Sequence, residues 1–172
     1  MTDEKKDEMK DEMKDEKKDE VEKRISINKI YLKDFSFESP QAPTVFRSGE
    51  WKPQTNLNLR SNHNAVEGEE DLHEIVLTIT VDAKDNDTTL FLVEIQQSGL
   101  FEIAGYDGEE FSAIIGSFCP NILFPYARES IAGIIQKGGF PEFVLQPINF
   151  DSLYMQSRQQ AAQAEAQGTE KH

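Results

Sequence analysis

The chain has 172 residues, 37% of them hydrophobic, with 32 acidic against 18 basic side chains and a formal net charge of −14. That charge repels nucleic-acid backbones and anionic membrane surfaces and excludes both as ordinary partners. A single cysteine rules out an internal disulfide, no run is long and apolar enough for a membrane-crossing helix, and no apolar secretory stretch opens the chain, so a reducing cytoplasm is the expected compartment.

Residues 1–20, MTDEKKDEMKDEMKDEKKDE, repeat a unit of two acids, a variable residue and lysine. As a helix the repeat would set Asp3 by Lys6 and Asp7 by Lys10, each pair adding about 0.2–0.5 kcal/mol, while like charges at spacing four offset part of that gain. Only Met9 and Met13 could be buried, and either could serve as the translation start. The expected organisation is a charged flexible arm over 1–20, a folded domain over 21–160 and a flexible tail over 161–172.

The folded part opens with ISINKIYLKDFSFE, read as a long strand with one change of register, Tyr31, Phe35 and Phe37 opposing Ile30 and Leu32. SPQAPTVFRSGEWKP follows, a proline-rich connection carrying Phe46 and Trp51. TNLNLRS is a short strand. LHEIVLTITVDA and TLFLVEIQQSGLFEI alternate over longer runs and are joined by a few polar residues, the pattern of an antiparallel hairpin. After AGYDG the period becomes helical. One short helix is expected to end before Cys119-Pro120, and a second to start near Pro125 and stop at Gly138-Gly139. FPEFVLQPI reads as extended coil, and NFDSLYMQSRQQ as a last helix with Asn149 as its cap, fraying from Ala161. The expected fold class is α+β: a four-stranded antiparallel meander with helices packed on one face.

Chemistry finds little footing. His63 and His73 lie apart in sequence, in a polar loop and at a strand start, and read as ordinary histidines rather than zinc ligands. Cys119, between Phe118 and Pro120, reads as a buried inert thiol rather than a nucleophile. GYDGEE and the later glycine pair lack the residues of a phosphate loop. Binding is better supported: Phe35, Phe37, Phe46 and Trp51 gather around the flexible connection and offer apolar surface for a subunit interface or a ligand groove.

IYLKDFSFESPQAP, EWKPQTNLNL, FLVEIQQSGLFEIAG, CPNILFPYARESI and NFDSLYM, in that order, resemble the SecB family of bacterial protein-export chaperones, from about Ile25 to Gln160. The resemblance implies a homotetramer built as a dimer of dimers. It also implies an ATP-independent holdase that keeps unfolded secretory precursors translocation-competent and delivers them to the SecA motor. It implies no enzymatic activity and no cofactor; the zinc belongs to the basic C-terminal segment of SecA. Carried over by motif, the client groove would use Phe35, Phe37, Phe46, Trp51, Phe150 and Leu153, and SecA docking Asp34, Glu38, Leu92 and Glu94. Val93, Ile95, Gln97, Ala127 and Ile131 would serve the subunit interface. The alternative is an interaction module of the same family that protects a different labile cytosolic client, such as an antitoxin. The charged N-terminal repeat has no counterpart in the family pattern.

Overall fold

Apolar residues of the first strand fall at 25, 27, 30, 32, 35 and 37, a spacing of two interrupted twice by three. An unbroken strand would throw some of them onto the wrong face, because side chains alternate strictly. The computed structural model describes residues 22–47 and 52–168, and in it β1 (Arg24–Glu38) absorbs both interruptions. Register shifts between Ile27 and Lys29 and between Leu32 and Asp34 each admit one extra residue. All six apolar residues then oppose one face of β4 (Thr88–Ala104), Ile30 meeting Gly99, Leu32 meeting Gln97 and Phe35 meeting Ile95. The single register change expected from sequence is therefore corrected to two. Tyr31, not Ile30 and Leu32, takes the opposite face, across from Ser98.

β2 (Gln54–Ala65) and β3 (Leu72–Asp85) complete a fully antiparallel sheet. The β3–β4 hairpin turns on Asn86-Asp87, and Asn86 adopts φ 52°, a left-handed conformation that asparagine tolerates better than most residues. The strand order is β1-β4-β3-β2, so the meander expectation fails for one strand. β2, β3 and β4 do meander, but β1 crosses to the far edge and pairs with β4, a Greek-key arrangement. The cause is the connection after Glu38. Carrying Pro40, Pro43 and Pro53 and a 3-10 turn at Thr44–Arg47, it is long enough to span the sheet, so chain neighbours need not be sheet neighbours.

Helices cover one face. α1 (Gly108–Ala113) runs through a π turn (Ile114–Phe118) directly into α2 (Cys119–Lys137). Phe118 and Cys119 both keep helical backbone angles, so the expected stop before Cys119-Pro120 does not occur. Pro120 follows directly on the π turn, so the N–H it lacks is absent from a continuous helical run and not from a free helix start. Pro125 lies inside α2 and removes one hydrogen bond without ending the helix. α2 buries Cys119, Leu123, Ala127, Ile131 and Ile135, a step of four that lays one stripe on Ile79, Val81, Val93 and Ile95 of the sheet.

FPEFVLQPI is irregular, as expected, with Phe140 and Leu145 buried. α3 (Phe150–Gly168) is capped by Asn149, whose Oδ1 accepts from the Ser152 amide at 2.9 Å. It continues past Ala161. The apolar stripe ends there and packing with it, but alanine and glutamine are good helix formers and carry the helix on. The N-terminal repeat over 1–20 and Trp51 lie outside the described residues.

Candidate functional site

The two bulges and the strand order divide the predicted site residues between opposite faces of the sheet. On the open face, β1 and β4 set Glu38 opposite Leu92, Ser36 opposite Glu94 and Asp34 opposite Gln96. Directly opposed residues share a face. Asp34, Glu38, Leu92 and Glu94 therefore stand within three successive rungs, as one patch. β3 extends it: Asp82 lies opposite Leu92, and Thr80, opposite Glu94, donates to the Glu94 carboxylate at 3.0 Å. Asp82 was not singled out in the sequence. The only signal was its even position in β3, which becomes informative once β3 is known to neighbour β4. The centre of the patch is thus a leucine between acids of both neighbouring strands.

Cations border the acids. Arg60 approaches Glu94 at 3.8 Å with its own side chain 60% exposed, a geometry of little energetic consequence. Lys84 pairs with Asp82 at 2.9 Å. Farther along, Glu74 accepts from Lys33 at 2.7 and 2.8 Å, from Asn64 at 3.2 Å and from the Tyr31 hydroxyl. Burial works to raise the Glu74 carboxyl, but the bonds from Lys33, Tyr31 and Asn64 outweigh it and hold the group below its ordinary value. The Tyr31 hydroxyl is pushed up to about 12 by burial and by the same carboxylate. This network ties β1 to β3 across β4.

On the helix side, Phe37, Phe46, Phe91 and Phe140 form a continuous aromatic cluster. Ring centroids lie 6.4 Å apart for Phe37–Phe91, 6.2 Å for Phe37–Phe140, 5.3 Å for Phe46–Phe140 and 4.9 Å for Phe91–Phe140. Gly138 and Gly139, which end α2, make the floor. A β-carbon on Gly138 would come within 2.3 Å of the Phe37 ring, and one on Gly139 within 3.2 Å of Phe46. Phe46 is 49% exposed, so the cluster opens to solvent. Phe91 and Phe140 were missed as site residues. The glycine pair immediately before Phe140 was the available signal, and it was read only as a helix stop.

The remaining groove candidates separate. Phe35 is half-buried within the core and joins none of these ring pairs. Phe150 is buried against Phe124, with ring centroids 5.6 Å apart. Leu153, 42% exposed, lies with Tyr154, Leu59 and Leu77 around a second shallow groove. There Gly116, in the π turn, lets the Tyr154 ring sit where a β-carbon would be. Phe37 and Phe46 thus belong to one apolar spot, and Phe150 and Leu153 to another.

The five interface candidates lie inside the protomer. Val93, Ile95, Ala127 and Ile131 are fully buried between sheet and α2. Gln97 is buried too, and its Nε2 donates to the Tyr31 carbonyl at 2.9 Å beside the second bulge.

Two features bear on the discarded chemistry. Cys119 is fully buried, and burial pushes its thiol up to about 12, which keeps it protonated and unreactive. His63 and His73, distant in sequence, meet in space, with His63 Nε2 at 3.0 Å from His73 Nδ1. Burial lowers both histidines, His63 further lowers His73, and Asp71 works the other way on His73. Among the described residues, no group of three or more His, Cys, Asp or Glu side chains is placed to hold a metal ion. No helix of the described residues is long and apolar enough to cross a membrane.

An apolar cluster opening to solvent beside one layer of helices, with an acidic patch on the other side of the sheet, gives the protomer two surfaces of the kind that bind partners. The family described as preprotein translocase subunit SecB matches residues 18–161. The protein-export protein SecB of Nitrosococcus oceani is 48% identical over 146 residues, covering 84% of this chain and 88% of its own. That of Alcanivorax borkumensis is 50% identical over 145 residues, covering 83% and 91%. The chain belongs to the SecB family and is a chaperone without catalytic activity. Among solved structures, the fold is similar to the SecB-like chaperone of Mycobacterium tuberculosis in complex with a peptide from the HigA1 antitoxin. The TM-score is 0.61 at 17% identity, covering 73% of this chain and 91% of that one.

Proposed function

We propose that the chain is an ATP-independent holdase for unfolded secretory precursors, working as a homotetramer, a dimer of dimers, that hands its clients to SecA. One observation carries this reading: the apolar clusters and the acidic patch occupy opposite sides of one sheet. A client lying on Phe37, Phe46 and the groove by Leu153 leaves Asp34, Glu38, Leu92 and Glu94 free for a second partner. Apolar contact is non-directional, so the client side suits many sequences, and an unfolded chain exposes such groups where a folded one does not. The acidic side suits a short basic segment such as the zinc-bearing C-terminus of SecA, with Leu92 as the apolar anchor. Its charges would set encounter rate and register more than affinity.

The test uses one preparation. The purified protein should delay the refolding of an unfolded precursor without nucleotide, elute as four chains of 19.6 kDa and bind the SecA segment on the same oligomer. Failure to delay refolding at a stoichiometric excess would defeat the holdase reading. The second reading is a chaperone of the same build serving another labile client; the similar M. tuberculosis chaperone is in complex with a peptide from an antitoxin. This second reading shares the apolar side and differs at the acidic one. Client protection with no affinity for the SecA segment would favour it.

A further inference from the structure

β2 is the outer strand of the sheet, and its pairing with β3 sets His63 opposite Ile75 and Ala65 opposite His73. The two histidines therefore occupy diagonal positions on one face, two rungs from level. Their facing ring nitrogens, His63 Nε2 and His73 Nδ1, stand 3.0 Å apart. Both rings are held by the edge of Phe111 in α1, at centroid distances of 5.6 and 5.0 Å and interplanar angles of 77° and 65°. His73 is buried, whereas His63 sits on the exposed strand, so one ligand is fixed and the other borders solvent.

As a hydrogen bond, this contact needs one nitrogen protonated and the other bare. A metal ion needs both bare. Imidazole nitrogens bind first-row ions at about 2.0–2.1 Å, so two adjacent ligands on one ion lie roughly 2.8 Å apart at a right angle and about 3.4 Å apart at a tetrahedral angle. The observed separation falls near the right-angle end, the preference of tetragonal copper(II) and nickel(II). We propose that His63 and His73 form a two-imidazole clip for an ion of that class, joining the edge strand β2 to β3. On binding, the proton between the rings moves to the far nitrogen of its own ring, His63 Nδ1 or His73 Nε2, and no net proton is released. Water fills the remaining positions, because no third side-chain ligand is placed among the described residues. The clip is open and exchanging, unlike a closed structural zinc site. The formal charge of −14 raises the local concentration of cations around it.

The test is titration calorimetry of the full chain, stripped with chelator, against nickel chloride at pH 7.5 and then against copper(II) chloride. One ion should bind per chain, copper more tightly than nickel by the ordinary order of divalent ions. His63→Gln, an exposed edge position, should weaken binding at least tenfold, and His172→Gln should leave it unchanged. Identical isotherms for the parent chain and His63→Gln would overturn the proposal by placing the ion elsewhere on this acidic protein. A second readout needs no variant: the electron paramagnetic resonance spectrum of the copper-loaded chain should show coupling to two imidazole nitrogens. A spectrum with one nitrogen or only oxygen ligands would overturn the proposal independently.

Discussion

β1 and β4 carry two different surfaces on the same residues' alternate positions. Toward the helices they present Phe35, Phe37, Val93 and Ile95; toward the open side they present Asp34, Glu38, Leu92 and Glu94. The helix side is tightly packed, and several of its residues are fully buried. Around Leu92 the open side is a row of charged and polar groups. Substitutions on the two sides should therefore fail in different ways: inside through volume and shape, outside through charge. Under the proposed function, that division would let a client be held on one side while a partner is read on the other. One strand pair positions both, so the two surfaces keep a fixed spatial relation.

The comparison is broken most forcefully from the inside. Ile131→Ala removes a fully buried side chain from the stripe of α2 and should lower stability by about 2–5 kcal/mol, measured by urea unfolding at fixed chain concentration. A change below about 0.5 kcal/mol would mean that the layer between α2 and the sheet is loosely packed. Next comes Gly138→Val, whose β-carbon alone would come within 2.3 Å of the Phe37 ring. It should cost about 1–3 kcal/mol through overpacking and weaken client binding while sparing the SecA segment. Equal losses at both partners would argue that the aromatic cluster and the acidic patch are not separate sites.

Glu94→Lys tests the outside. The residue is half-exposed, so stability should move by no more than about 0.5 kcal/mol. Affinity for the basic segment should fall at least tenfold, and client protection should persist. The reversal places a lysine beside Arg60, so the change in charge is concentrated where the patch already has a cation. Unchanged affinity would remove Glu94 from the docking surface.

Much of this was legible in the sequence, and the failures have physical causes. The β3–β4 hairpin could be read because its strands alternate over long runs and its turn is short and polar. Asn149 could be read as a cap from local chemistry alone. The second bulge in β1 could not, because a three-residue step in an apolar pattern is equally a register change or a change of face until the partner strand is known. The place of β1 in the sheet was hidden by its long connection. Asp34, Glu38, Leu92 and Glu94, named by motif, do share one face of the sheet, whereas Asp82 was not named, since it joins them only through the β3–β4 register. Motif also named Val93, Ile95 and Gln97, and the alternation of β4 is what places their side chains on the buried side of the sheet. The His63–His73 contact lay beyond local reading, because it depends on which rungs of β2 and β3 meet.

That contact supplies the smallest effect expected. Both histidines titrate below their ordinary value of 6.5, through burial and, for His73, the neighbouring His63 ring, with Asp71 opposing. A histidine whose folded value is depressed stays neutral in the fold while the unfolded chain takes up its proton. The unfolded state therefore binds more protons as pH falls below 6.5, and folding stability declines with it. Well above that value both states are neutral and the pair contributes no slope. The first added proton can be accommodated, since a protonated ring still donates to a neutral one. A second proton would place an N–H on both facing nitrogens and set two cations 3.0 Å apart. The stability loss on going from pH 7 to pH 5.5 should thus be smaller in His73→Phe, which keeps a ring against Phe111 but removes the titrating partner. Urea midpoints at several pH values measure it. Parallel pH profiles for the two proteins would mean that the pair does not couple protonation to folding, and that the edge strand is held by its backbone ladder alone.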